Sequence, residues 1–171
     1  EPALSIRYVN HAARDKSASG WGCENGYSFF WLTGREADAL LSVKKRSDIR
    51  NIIRRSIRTD TDPAKMNRML AVLPEVQSLF VVREGVFQAF VAASTEMLVM
   101  RNGQSCHLET VKTGRIEMPP ETWFVFSDSE KIVSMETCCK LESVRNTMPG
   151  TAVTMANHIG AMLELDGTEQ A

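Results

Sequence analysis

Five arginines crowd one short stretch of the chain: Arg46, Arg50, Arg54 and Arg58 recur at every fourth residue, and Arg55 lies alongside. Residues four apart are neighbours on a helix, and like charges at that spacing mildly destabilise it. Such a stripe therefore invites an anionic partner, for example a phosphorylated segment held by guanidinium forks. Its plainer role is a solvated face, partly neutralised by Asp48 and Glu36. Ser47 follows Lys-Lys-Arg and Ser56 follows Arg-Arg, short patterns that a kinase could use. The other reactive residues are scattered. His11, His107 and His158 lack the i, i+4 spacing of a helical zinc pair. Cys106 and His107 are adjacent on a predicted strand, so they point to opposite faces and do not form a nucleophile and base. No glycine-rich phosphate loop and no G-x-S-x-G elbow occurs.

These residues need elements to position them. Weak alternation from Ala3 to Val9 predicts a strand, and the polar, Ser- and Gly-containing run from Asn10 to Gly26 a loop. Tyr27 to Leu32 and Ala37 to Val43 flank turn chemistry at Thr33-Gly34-Arg35-Glu36, predicting a hairpin, although Ala37 to Leu41 also suits a helix. Ser47-Asp48 supplies cap residues for a helix with Ile49, Ile52, Ile53 and Ile57 inward, ending near Arg58. Asp62-Pro63 then opens a second helix on Met66, Met69, Leu70 and Leu73.

From Ser78 the period becomes strand-like. Segments 78 to 83, 86 to 93, 96 to 101 and 104 to 111, the last two joined by Asn102-Gly103, predict a four-stranded antiparallel meander. A strand at Thr122 to Ser127 and a helix at Glu130 to Leu141 follow. Gly150 to Leu165 suits either one helix or, as preferred here, a short helix to Ala156 and a strand from Ile159.

A chain of 171 residues, 43% hydrophobic, holds one substantial core, and residues 1 to 171 are expected to form one domain. A net charge of -1 offers no global field for nucleic acid or an anionic membrane. No apolar run approaches the roughly 20 residues of a membrane helix. The four cysteines, Cys23, Cys106, Cys138 and Cys139, make no C-x-x-C pair, which fits a reducing, cytoplasmic compartment. A first residue of Glu instead of Met suggests a fragment or a processed form.

The order of elements resembles that of the type 2C metal-dependent protein phosphatases, an α+β fold with an antiparallel β-sandwich flanked by helices. Asn25-Gly26-Tyr27-Ser28-Phe29-Phe30 resembles the family's Asn-Glu-Asp, small residue and aromatics; Val43-Lys44-Lys45-Arg46 falls where the family has a strand ending in Asp-Gly. Ala93 to Gly103 resembles its Gly-x-Ser-x-x-x-Leu-x-Arg-x-Gly hairpin. The run from Pro120 to Ser129 resembles Pro-Gly-Asp, an apolar strand and Ser-Asp-Gly, and Asn157-His158-Ile159 stands where Asp-Asn precedes the last strand.

The resemblance implies two divalent cations held by four acidic positions and a metal-activated water attacking a phosphoserine or phosphothreonine. Here those positions read Tyr27, Lys45, Asp128 and Asn157. Only one carboxylate remains where two hard cations need several. An ammonium about 4 Å from a cation costs several kcal/mol at an effective dielectric of ~20. The Lys45 ammonium is therefore expected to replace the metal beside Asp128. The implied protein is a catalytically inactive pseudophosphatase with no metal or other cofactor, acting as a regulatory or protein-binding module. Its expected partner is a kinase, a phosphoprotein or another domain of the same chain. Two rivals remain: an active metal-dependent phosphatase with an atypical ligand set around Asp128, and a cupin-like or cyclic-nucleotide-binding β-domain over Met97 to Phe126.

Overall fold

The structure, a computed structural model, describes residues 2–10, 16–17, 19–34, 41–101, 107–119, 122–127 and 151–159. In chain order these form β1 (Pro2–Asn10), β2 (Lys16–Ser17), β3 (Ser19–Glu24), β4 (Tyr27–Thr33), β5 (Leu41–Ser42), α1 (Val43–Ile57) and α2 (Pro63–Ala71). The remaining strands are β6 (Val76–Arg83), β7 (Val86–Val91), β8 (Glu96–Arg101), β9 (His107–Thr110), β10 (Gly114–Arg115), β11 (Thr122–Ser127) and β12 (Thr151–Ile159). One sheet has the order β1-β12-β11-β8-β9, a second the order β10-β7-β6-β4-β3, and β2 pairs with β5. All the pairings are antiparallel.

Continuous apolar runs in β4 and β6 arise because the second sheet is covered on both faces. Phe30 and Leu32 of β4, with Phe80 and Val82 of β6, meet Val99, Phe124 and Phe126 of the first sheet in the sandwich core. The alternate residues Phe29, Trp31, Leu79 and Val81 pack under Ile49, Ile53 and Ile57 of α1 and Met66, Met69 and Leu70 of α2. Both helices are capped by their sequence. The Lys45 amide donates to Ser42 Oγ, and the Lys65 amide to Asp62 Oδ2, each at 3.2 Å. This is an α+β antiparallel sandwich flanked by helices, as expected.

Several local expectations are corrected. The loop from Asn10 to Gly26 contains β3, and β4 pairs with β3 and β6, so the expected hairpin between 27–32 and 37–43 does not form. The overlooked signal is Asn25-Gly26, whose positive φ angles of 53° and 78° suit a tight hairpin turn. Glycines hid the strand. A Cβ at Gly20 would lie 2.2 Å from the Trp31 ring, and one at Gly22 would lie 2.6 Å from Phe29, so the bare face of β3 admits these rings. Helix α1 starts at Val43 with its cap at Ser42, five residues before the expected cap at Ser47, because Arg46 belongs to its inward face.

The expected meander divides into two hairpins, β6-β7 and β8-β9, lying in different sheets. The crossover between them is pinned by Gln77, which occupies a register shift in the β4-β6 ladder. Its side-chain nitrogen donates to Ser94 O at 2.5 Å and Thr95 Oγ1 at 3.0 Å. At the C-terminal end, the expected helix up to Ala156 gives way to β12, paired by β1 and β11 on either side and rich in β-branched residues, and residues 160–165 of the expected strand lie outside the described residues. Asn102-Gly103, Cys106 and the expected helix at 130–141 lie outside the described residues.

Candidate functional site

The arginine spacing on α1 matches the outer edge of β3. Four helical residues advance about 6.0 Å, and two strand residues about 6.6 Å. Arg50 Nε donates to Trp21 O at 2.6 Å and Arg54 Nε to Cys23 O at 3.3 Å, two successive carbonyls on that edge. One turn earlier, Arg46 Nη1 donates to Leu41 O at 2.5 Å. The helix therefore supplies donors to a strand edge that would otherwise be exposed to pairing. At its other end, Asn25 Nδ2 donates to Arg58 O at 2.7 Å and Arg58 Nη2 pairs with Glu24 Oε1 at 3.3 Å.

This arrangement splits the stripe. Arg46 and Arg50 are only 1% and 4% exposed, so they are neither a solvated face nor an anion surface. The Arg50 stem passes over Gly22 and its guanidinium lies 6.0 Å from the Trp31 ring centroid. Arg54, Arg55 and Arg58 instead line a cleft of about 460 Å³ with Asn51, Cys23 and Glu24. Arg55 Nε donates to Asn51 O at 3.4 Å. Three guanidinium groups face one carboxylate. Cys23 is a free, exposed thiol. Sequence reasoning missed Cys23, Glu24 and Asn51; recognising the Asn25-Gly26 turn would have placed the first two beside α1.

Of the positions matched to the family's metal ligands, Tyr27, Lys45 and Asn157 lie among the described residues. Tyr27 pairs with Glu24 in the hairpin register, and so sits by the C-terminal end of α1. Lys45 lies in the helix's first turn, about 20 Å from Arg58 at 1.5 Å per residue. Its ammonium pairs with Glu75 Oε1 at 3.3 Å, while the partner expected for it, Asp128, lies outside the described residues. Asn157 lies within β12, opposite Thr122. Asp128 lies outside the described residues. Its chain neighbour Ser127 pairs with Ala152, five strand positions and about 17 Å from the Thr122 to Asn157 pair.

These donors do not fit a pair of divalent cations. Tyr27 carries the Arg83 guanidinium 4.9 Å above its ring, and Lys45 is itself cationic. Among the described residues no group of three or more His, Cys, Asp or Glu converges to hold a metal. His107 is exposed beside Glu109 at 3.5 Å; His11 lies outside the described residues. Ser47 and Ser56 are half-buried within α1, which does not present them as extended kinase substrates.

The Tyr27 phenol is held below the ordinary tyrosine value of about 10, first by its hydrogen bond with Arg83 and then by that with Thr61. The folded chain thus releases this proton before the unfolded chain does. Its contribution to stability rises with pH between the two values and is lost as pH falls through the lower one. Phenolate absorbance, with the Tyr27→Phe variant subtracted, should show a transition below 10 that moves up in Arg83→Met. A transition indifferent to Arg83 would refute this account.

No protein-family model matches the sequence and no curated protein matches it. Among solved structures, the PP2C phosphatase domain of the cell fate determinant SpoIIE from Bacillus subtilis, with a fragment of its regulatory domain, is similar at TM-score 0.60 and 8% identity. That match covers 92% of this chain and 62% of the other. The RsbU and RsbW domains of a Mycobacterium tuberculosis protein are similar at TM-score 0.53 and 10% identity, covering 92% of this chain and 61% of that one. The chain thus spans about three fifths of the length of each. The likeness establishes a type 2C phosphatase-like fold. It removes the cupin-like and cyclic-nucleotide-binding alternative, as does the topology: β8, β9 and β11 share a sheet with β1 and β12 instead of closing a roll of their own.

Proposed function

We propose that residues 1 to 171 form one type 2C phosphatase-like domain that works as a cytoplasmic regulatory, protein-binding module without phosphatase activity. The observation that carries this reading is the occupancy of the matched ligand positions by groups already satisfied as something else. Lys45 is paired with Glu75, and Tyr27 lies beneath Arg83. Neither supplies the carboxylate oxygens that hard divalent cations need.

The structural neighbours support a protein partner. The Bacillus subtilis structure carries a fragment of a regulatory domain, and the Mycobacterium tuberculosis structure combines an RsbU with an RsbW domain. We read this chain as working against a protein in the same manner, either another domain of its own polypeptide or a separate chain such as a kinase or a phosphoprotein. No described helix is long and apolar enough to cross a membrane.

The test is the melting temperature with and without millimolar Mn²⁺ or Mg²⁺, alongside hydrolysis of p-nitrophenyl phosphate. Specific binding at about 100 times Kd would add about 2.7 kcal/mol to the native state. The expected result is no shift and no metal-dependent hydrolysis. An upward shift with hydrolysis, both abolished by Asp128→Ala, would overturn the proposal in favour of an active phosphatase built around Asp128, with Asn157 and main-chain carbonyls assisting.

A further inference from the structure

The cleft between the last turns of α1 and the end of β3 has the chemistry of a receptor. Arg54 and Arg55 are each fixed through Nε, to Cys23 O and Asn51 O respectively. Among the described residues their terminal nitrogens have no further protein acceptor. A guanidinium anchored through Nε still presents its paired terminal N–H groups, a geometry suited to two oxygens of one anion. Arg58 forms the third wall, with Glu24 as its internal counterion.

The charge balance specifies the ligand. Arg54, Arg55 and Arg58 against Glu24 leave two uncompensated positive charges in the about 460 Å³ cleft. A carboxylate would neutralise half of that; a phosphate monoester, nearly a dianion at pH 7, neutralises all of it. We propose that this cleft binds the dianionic phosphoryl group of a phosphate monoester, with Arg54 and Arg55 gripping its oxygens and Glu24 competing for Arg58. Glu24, the carboxylate that lines the cleft, is itself paired with Arg58. The gripping residues lie about 14–15 Å along α1 from Lys45, and the site does not depend on whether the domain hydrolyses anything. Failure here would leave the regulatory reading intact, and a metal-dependent activity would leave this site intact.

The experiment follows the arginine Nε–H resonances of the ¹⁵N-labelled chain while O-phosphoserine is added at constant ionic strength. Saturable shifts of Arg54 and Arg55 are expected. The Arg54 shift should vanish in Arg55→Met, an exposed position whose replacement is expected to leave the melting temperature unchanged, and the shifts should saturate at lower ligand concentration in Glu24→Gln, which removes the competitor. A response reproduced by chloride at the same ionic strength, or indifferent to both substitutions, would overturn the assignment. Inorganic phosphate and a phosphoserine peptide, beside its unphosphorylated twin, separate the sources. At least about tenfold tighter binding of the phosphopeptide than of inorganic phosphate assigns a phosphorylated protein. Equal affinities assign a small phosphate, and equal binding of the unphosphorylated twin contradicts the proposal.

Discussion

Replacing Phe80 by Ala is expected to lower the unfolding free energy by about 3–5 kcal/mol, read from urea denaturation. Phe80 is fully buried in β6. Its ring lies 4.7 Å from that of Phe30 on the neighbouring strand, 4.6 Å from Phe126 across the sandwich and 5.9 Å from Phe87. One side chain therefore joins both sheets, and its removal leaves a cavity that three rings cannot close without leaving their own contacts. Set against a typical domain stability of about 5–15 kcal/mol, such a loss removes a large share of the total. Phe80→Leu, which retains most of the volume, should cost much less. If Phe80→Ala loses under about 1 kcal/mol, the two sheets do not meet through this ring.

A smaller change at Gly20 should also be costly, for the opposite reason. Adding one methyl group there would place it 2.2 Å and 2.3 Å from two Trp31 ring carbons. Trp31 is fully buried under α1, with Phe29 6.3 Å away and Arg50 above it, so the ring has little room to retreat. Overpacking of this kind costs about 1–3 kcal/mol, and Gly20→Ala belongs near the upper end. Gly34→Ala is the control. Nothing lies within 4 Å of a Cβ there, and its effect should stay within about 0.5 kcal/mol. Denaturation curves for the two variants provide the comparison; equal stabilities would mean that α1 and β4 do not press on β3 as described.

The clash at Gly20 also shows why β3 was illegible in the sequence. Strand propensity treats glycine as a weak strand former, yet Gly20 and Gly22 are there because rings from the adjacent strand lie across them. The arginine stripe had the same ambiguity. Its helical spacing was plain, but spacing cannot distinguish a helix face in water from one lying along a strand edge whose carbonyls need donors. Arg46 and Arg50 fell on the buried side of that division, and Arg54, Arg55 and Arg58 on the cleft side. Glu24 entered the site because the Asn25-Gly26 turn folds β3 back onto β4, bringing its carboxylate to Arg58, 34 residues away.

What the sequence determined by itself was whatever depends on near neighbours. The isoleucine period of α1, the Asp62-Pro63 start of α2, the double-faced apolar runs of β4 and β6 and the strand at Thr122 to Ser127 are local patterns of side-chain spacing and capping. With the order of these elements they were sufficient to indicate the type 2C phosphatase-like sandwich. Tertiary structure decided which strands pair, where the chain crosses between sheets and which charges meet. Lys45 found Glu75, β12 took its place between β1 and β11, and two arginines of the stripe were buried while three were left to line a cleft. The physical reason is that hydrogen-bonding edges and ion pairs select partners by position in space, and distant residues share a position only after the core has assembled.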